Sequence, residues 1–257
     1  MTQLTALEKA LVILEAAVDH PTFSEITART GLAKATVHRN LATFIDRQFL
    51  VLSPEGRYMP GPRFLALTGS AFAEVDITAL VEPLAMDLAQ RMQCTVHVGT
   101  RVGDEMLYLV RADSDKPYRM PSRVGATTPM HSSGIGKAVL AQLSDEEIKR
   151  VVSRVGLRRL TARTLTRQAD LMREIRQIRS LGYAHDREEN VPGVICIAAA
   201  VNDYTHSTSY AVSITSLALE HTEEELERMA PDLLATADAM TAAIGGSADS
   251  IPMAVSL

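Results

Sequence analysis

The chain has 257 residues, enough for two domains, and its 46% hydrophobic and 22% charged residues suit well-packed cores in a soluble protein. Its net charge of −5 argues against bulk electrostatic attachment of the whole molecule to nucleic acid or an anionic membrane. No apolar run approaches the roughly 18 residues of a membrane span, no basic stretch precedes an apolar core as in a signal peptide, and 4% aromatics without tryptophan disfavour stacking on single strands.

Leu4, Leu7, Leu11, Leu14 and Val18 recur at helical spacing and predict a first helix with one apolar stripe, ending before His20-Pro21. Thr22-Phe-Ser-Glu25 has the form of a capping box, and Gly31 can take the left-handed conformation that stops a short second helix. A third helix is expected from Ala33 to Arg47, with Val37, Leu41, Phe44 and Ile45 inward and Lys34, Thr36, His38 and Arg39 outward. Phe49 to Leu52, the turn Ser53-Pro-Glu-Gly56 and Arg57 to Met59 read as a hairpin. This is the layout of a winged helix-turn-helix, whose second motif helix is sized for a DNA major groove. From Phe23 to Arg63, six basic residues stand against three acidic ones, a local net charge of +3, so a phosphate-binding surface belongs there.

Gly61-Pro62 closes this part. Arg63 to about Val75 reads as a linking helix with Phe64, Leu65, Leu67 and Phe72 apolar, and a further helix, about Ile77 to Met92, carries Leu80, Leu84 and Leu88. Strands are expected at Cys94 to Thr100, Glu105 to Ala112 and Lys116 to Arg123, then helices at Ser132 to Gln142, from the Ser144–Glu147 capping box onward, and at Arg167 to Ser180 with Gly182 as the stop. Three more strands follow at Tyr183 to Arg187, Val194 to Val201 and Ser209 to Leu217. Thr222 opens a last helix toward Gly245-Gly246, which Pro231 should kink or split. The order predicts an α+β domain, an antiparallel sheet covered by helices. The expected division is 1–61 for the winged helix, 62–76 for the linker, 77–246 for the second domain, and a frayed tail at 247–257.

Several chemistries find no support. The run SSGIGKA fails as a phosphate loop, because His131 stands where the first glycine belongs and Ala138 follows Lys137. Cys94 and His97, three apart on a strand, should face opposite ways, and no second ligand pair follows, so no metal is expected. There is no G-x-S-x-G elbow, and neighbouring His131, Ser132 and Ser133 do not make a triad, so neither enzyme activity nor a cofactor is expected. Cys94 and Cys196 fit no disulfide framework, which suits a reducing cytoplasm.

Three segments together resemble the IclR-type transcriptional regulators over essentially the whole length. They are GLAKATVHRNLATF in the recognition-helix position, PMHSSGIGKAVLAQLSDEE from Pro129 to Glu147, and GYAHDREENVPGVICIAAAV from Gly182 to Val201, followed by SYAVSIT. The resemblance implies a homodimer, or a dimer of dimers, on palindromic double-stranded operator DNA, and a C-terminal GAF-like domain that holds a small organic effector. Family members often sense small carboxylates, carbonyl compounds or aromatic acids. One departure is Ala200, where the family usually has proline.

The expected DNA contacts are Lys34, Thr36, His38, Arg39 and Arg57, with Thr36 and Arg39 preferred at bases or phosphates, and Lys34 and Arg57 at phosphate. For the effector the candidates are Ser132, Ser133 and Gly134, where helix-terminal amides suit an anion, with Ser213 and Thr215, whose hydroxyls share one strand face. Cys196 and Asp186 join them by the resemblance; read alone, Cys196 is a buried core thiol and Asp186 a turn residue. The composition favours a small aliphatic acid or carbonyl compound. The competing expectation is an enzyme or metabolite-binding module whose winged helix mediates protein contacts only.

Overall fold

The computed structural model describes residues 4–74, 76–116, 120–205 and 209–246. The chain divides into two compact units, residues 1–75 and 76–257.

The first unit holds α1 (Ala6–Asp19), α2 (Phe23–Thr30), α3 (Lys34–Asp46), the hairpin β1 (Leu50–Leu52) and β2 (Tyr58–Pro60), and α4 (Pro62–Glu74). Thr5 and Thr22 each close a full capping box, with Glu8 and Glu25, which fixes where α1 and α2 begin. Gly31 ends α2 at φ +64°. Ile13, Ala17, Ile26, Val37, Leu41 and Leu50 form the core, with Leu14, Phe44 and Tyr58 packed on it. Two sequence expectations change. The predicted stripe of α1 is not its buried face: Leu4, Leu7, Leu11 and Val18 are exposed, and the helix packs instead through Ile13, Ala16 and Ala17. Ile45 of α3 is exposed as well, because Val37 and Leu41 already fill the contact with α1.

The start of α4 is tied to the base of the wing. Gly61 N–H donates to Phe49 O at 2.8 Å, Arg63 N–H donates to Gln48 O at 3.1 Å, and the Arg63 guanidinium lies 5.4 Å from the Phe49 ring centre. Leu65 and Leu67 of α4 are exposed; the Phe72 side chain lies outside what is described.

The second unit is built on six antiparallel strands in the order β5 (Thr127–Pro129), β4 (Glu105–Ala112), β3 (Thr95–Val102), β8 (Tyr210–Leu217), β7 (Val194–Val201) and β6 (Ala184–Arg187). One face packs on α5 (Ile77–Met92) and α10 (Ala230–Ala243), with Val96, Ile197 and Ile214 meeting Leu88, Leu233 and Met240. The other face packs on α6 (Gly134–Gln142), α7 (Asp145–Val155) and α8 (Gln168–Leu181). There the sheet is paved with Ala184, Ala198 and Ala211, and small side chains let a helix come close. The first strands, helices and caps fall where the sequence puts them. Pro231 splits the last helix into α9 (Glu223–Arg228) and α10, as expected. Ala200 does not end its strand: β7 continues to Val201, with Ala200 opposite Ala211.

The strand expected at Lys116 to Arg123 is a correction. Residues 117–119 lie outside the described residues, and the flanking Lys116 and Met120 to Arg123 are not strand. Pro121 lacks a ladder donor, and a turn at Gly125 (φ +82°) delays the pairing with β4 to Thr127–Pro129. The frayed tail expected at 247–257 also lies outside the described residues.

A Cβ at Gly61 would collide with the Gln48 carbonyl at the wing base. Gly61→Ala should therefore lower the urea stability of the first unit by about 1–3 kcal/mol. An unchanged denaturation midpoint would show that α4 is not docked on the wing.

Candidate functional site

The outer surface of α3 is the first candidate site. Lys34, His38 and Arg39 are exposed, as is Arg57 in the wing turn, while Thr36 is only half-buried at the shoulder. The His38 ring stands edge-on to Phe23 of α2, 6.3 Å between centres, so part of its surface is already used. Sequence reasoning passed over Ala35 and Ala42, which are exposed on the same helix. Small apolar residues there would let the helix approach base edges, and alanine suits a thymine methyl.

The second candidate is a cavity of about 490 Å³ between the alanine-paved face of the sheet and the N-terminus of α6. Strand register builds its floor. Thr215 pairs with Cys196, and Cys196 with Asp186, so three of the expected residues form one row across β8, β7 and β6. Ser213 sits in the next row, opposite Ala198 on one side and His97 on the other. Ser133 and Gly134 close the cavity from α6. Gly134 is obligatory for this approach: a Cβ there would lie 2.5 Å from Cys196 Sγ.

Two expected residues play other parts. Ser132 does not line the cavity. It is wholly buried just before the cap, and its Oγ donates to Asn190 Oδ1 at 3.2 Å, holding a residue that does line it. The Ser133 hydroxyl is the helix cap, accepting from Gly136 N–H at 3.2 Å and donating to Pro129 O at 2.7 Å.

The sequence reading missed His97, Tyr108, Met120, Ser122, Asn190 and Arg158 among the lining residues. His97 Nδ1 lies 3.2 Å from Thr215 Oγ1, and its Nε2 lies 2.6 Å from Ser122 Oγ. Arg111 holds the segment carrying Ser122 by donating to the Met120 and Ser122 carbonyls. Cys94 packs in the opposite face of the sheet, so it and His97 do point apart. Arg158 is exposed at the rim and is the only lysine or arginine among the described lining residues.

Lys137 explains why SSGIGKA cannot cradle phosphate. Its ammonium is fully buried, paired with Glu189 at 2.5 Å and Glu174 at 3.4 Å. The pair fixes the loop after β6, where Asp186 Oδ1 accepts from Glu189 N–H at 2.7 Å and Asn190 N–H at 3.3 Å.

Burial sets the charge state of the cavity. It pushes Asp186 up to about 7, against the pull of Lys137 and the two amides. It lowers His97 to about 4, with the Arg111 charge adding to the effect. The Cys196 thiol is raised by burial and then by Asp186, and the Tyr108 phenol by burial. Close to neutral pH the buried walls are therefore mostly uncharged hydrogen-bonding groups, with exposed Arg158 and exposed Glu105 among the outer lining residues. Among the described residues no cluster of three or more His, Cys, Asp or Glu could hold a metal ion, and no helix is long and apolar enough to cross a membrane.

A winged helix-turn-helix unit followed by a cavity-bearing α+β unit defines a DNA-binding protein of the regulator class, and comparison with known proteins agrees. Residues 6–54 match the IclR helix-turn-helix domain, and residues 69–242 match the bacterial transcriptional regulator IclR C-terminal family. The chain is 33% identical over 240 residues to the HTH-type transcriptional regulator BhcR of Paracoccus denitrificans, covering 91% of this chain and 85% of that one. It is 28% identical to the transcriptional repressor IclR of Escherichia coli, covering 95% and 91%. The crystal structure of the Agobacterium tumefaciens repressor BlcR superposes with a TM-score of 0.70 at 25% identity, covering 93% and 96%. The chain belongs to the IclR family of transcriptional regulators. It is a DNA-binding regulator, and its family and relatives are not enzymes.

Asp186 gives a pH prediction. Between its ordinary 3.8 and about 7 the folded protein keeps a proton that the unfolded chain has released. The folded state therefore loses stability as pH rises through that window, and above it carries the full cost of a buried carboxylate. Asp186→Asn keeps the acceptor and removes the charge. It should melt higher than the parent at pH 8, by on the order of 10 °C, and no higher at pH 4. Equal melting temperatures at pH 8 would show that Asp186 is not desolvated.

Proposed function

We propose that the protein is an effector-responsive regulator, a homodimer that binds a palindromic operator and whose DNA affinity changes when a small organic acid or carbonyl compound occupies the cavity. The observation that carries this reading is the 490 Å³ cavity, lined by polar residues of the sheet and by a helix N-terminus, in the same chain as a winged helix with an exposed cationic recognition face. Its volume falls in the range of small-molecule sites.

On the DNA side, Arg39 is the candidate for a bidentate base contact, with Thr36 and His38 beside it and Lys34 and Arg57 at phosphates. One helix reads too few base pairs for a genomic address, so two half-sites are needed. The exposed apolar stripe Leu4, Leu7, Leu11 and Val18 on α1, with Leu65 and Leu67 on α4, supports pairing with a second copy in this unit. A cytoplasmic setting follows from the role.

On the effector side, the N-terminus of α6 and the rim Arg158 favour an anionic group, with Asp186, Cys196, Ser213 and Thr215 around it. An effector alters DNA affinity only if it prefers one arrangement of the protein over another. Because α4 is bonded to the wing base, turning α4 would turn the wing with it.

Two experiments test this. In binding to the upstream intergenic DNA of the gene, with excess nonspecific competitor, Arg39→Ala should weaken the specific complex by about 10-fold or more while the circular dichroism spectrum stays unchanged; undiminished affinity would remove α3 as the recognition helix. Cys196→Ala combined with Ser213→Ala should blunt the response of that complex to a panel of small carboxylates and spare DNA binding without them. An unaltered response would place the effector elsewhere.

A further inference from the structure

The cavity holds more than a binding place for a carboxylate. Ser122 Oγ, the His97 ring, Thr215 Oγ1 and Ser213 Oγ form a continuous hydrogen-bonded chain along one wall, with links of 2.6, 3.2 and 3.4 Å. His97 is 3% exposed, and burial with the nearby Arg111 keeps its ring neutral. A neutral imidazole donates from one nitrogen and accepts at the other. Every link then runs in one sense. If Ser122 donates to His97, the ring donates to Thr215, Thr215 to Ser213, and Ser213 has its proton left for the cavity. If the sense is reversed, Ser122 offers the proton and Ser213 the lone pairs. In either tautomer one end of the wall donates and the other accepts.

A carboxylate can only accept, so it leaves the accepting end unsatisfied. An alcohol satisfies both ends, and unmatched buried polar groups are what make such walls selective. Volume points the same way. At roughly 30 Å³ for a water-sized group, 490 Å³ takes on the order of 16 non-hydrogen atoms. A three-carbon acid would fill less than half of it.

Resting on the effector reading above, we propose that the Ser122–His97–Thr215–Ser213 wall is a second polar subsite that selects a hydroxylated carbon chain, so that the effector is a polyhydroxy acid larger than a two- or three-carbon one. His97 is a positioning residue in it, setting the direction of the hydroxyls that meet the ligand, and Ser122 contacts the ligand. The acid group lies toward α6 and Arg158, and the hydroxyls toward His97.

The test is titration calorimetry of the full chain with glycolate, hexanoate, and the six-carbon acids gluconate and galactonate. At least one six-carbon hydroxy acid should bind about 10-fold or more tighter than both glycolate and hexanoate. Ser122→Ala and His97→Gln should each erase most of that preference, while the glycolate dissociation constant moves by less than about twofold. Selective loss of the preference is something a general loosening of the fold would not produce, and Ser122, half-buried on a loop, keeps the test open if the His97 variant folds poorly. Binding of glycolate or hexanoate with no gain from hydroxyls, or a preference that survives both variants, overturns the subsite and leaves the effector cavity standing. Absence of binding by all four acids overturns both.

Discussion

Helix α6 is packed so tightly, against the sheet on one side and against the turn that leads into it on the other, that two of its residues can only be glycine. A Cβ on Gly134 would enter Cys196 Sγ, and one on Gly136 would enter the Met130 backbone. Most of the second unit's chemistry follows from that approach. It presses the positive end of the helix against β7, it buries Lys137 one turn further on, and it leaves a polar cavity where the helix begins instead of a filled core. The sheet accommodates it with alanines at 184, 198 and 211 and with Gly99, where a β-bulge admits Ile135. The helix sets the position, and the strand register sets which side chains it meets.

The two units use opposite surfaces. The working groups of the second unit are buried and locked: Asp186 by two amides, His97 by two hydroxyls, and the loop after β6 by the Lys137 pair and by Thr161 and Thr164, which donate to the Glu188 and Glu189 carbonyls. The working groups of the first unit are exposed and held only through the helix that carries them. Arg39 and Lys34 need a rigid α3, and that rigidity comes from the Val37–Leu41 contact with Ile13 and Ile26 and from the capped start of α2. In the cavity the side chains are already held by hydrogen bonds; on the α3 face Lys34 and Arg39 extend into solvent.

The sequence made much of this legible, for reasons that can be named. Capping boxes, the Gly31 and Gly182 stops and Pro231 carry local signals that do not depend on distant packing, and those boundaries hold. The hydroxyls of Ser213 and Thr215 were readable because polar residues two apart on a core strand ask for partners. The same pattern exists at Thr95 and His97 between Val96 and Val98, but a histidine three residues from Cys94 also has the look of a metal ligand, and that reading masks the signal. Arg158, Asn190 and Met120 come from loops with no periodicity, so nothing local announces that they converge. The α1 stripe failed differently. Its spacing is helical, but which face of a helix is buried depends on what packs there, and in the single chain the alanine face is the one covered.

The fully buried Lys137 pair has a consequence for how the two halves of the molecule answer to ionic strength. Added salt screens exposed charges within a Debye length of about 8–10 Å and hardly reaches a desolvated pair. The ion pairs of Lys137 with Glu189 and Glu174, which brace the loop beside the cavity, are therefore shielded from that screening. Exposed Lys34, Arg39 and Arg57 have no such shield, and any phosphate contact made through that face weakens steeply as counterions compete. A rise in salt would therefore loosen the protein from DNA while the ion-paired scaffold of its second unit stayed intact, a release that needs no ligand at all.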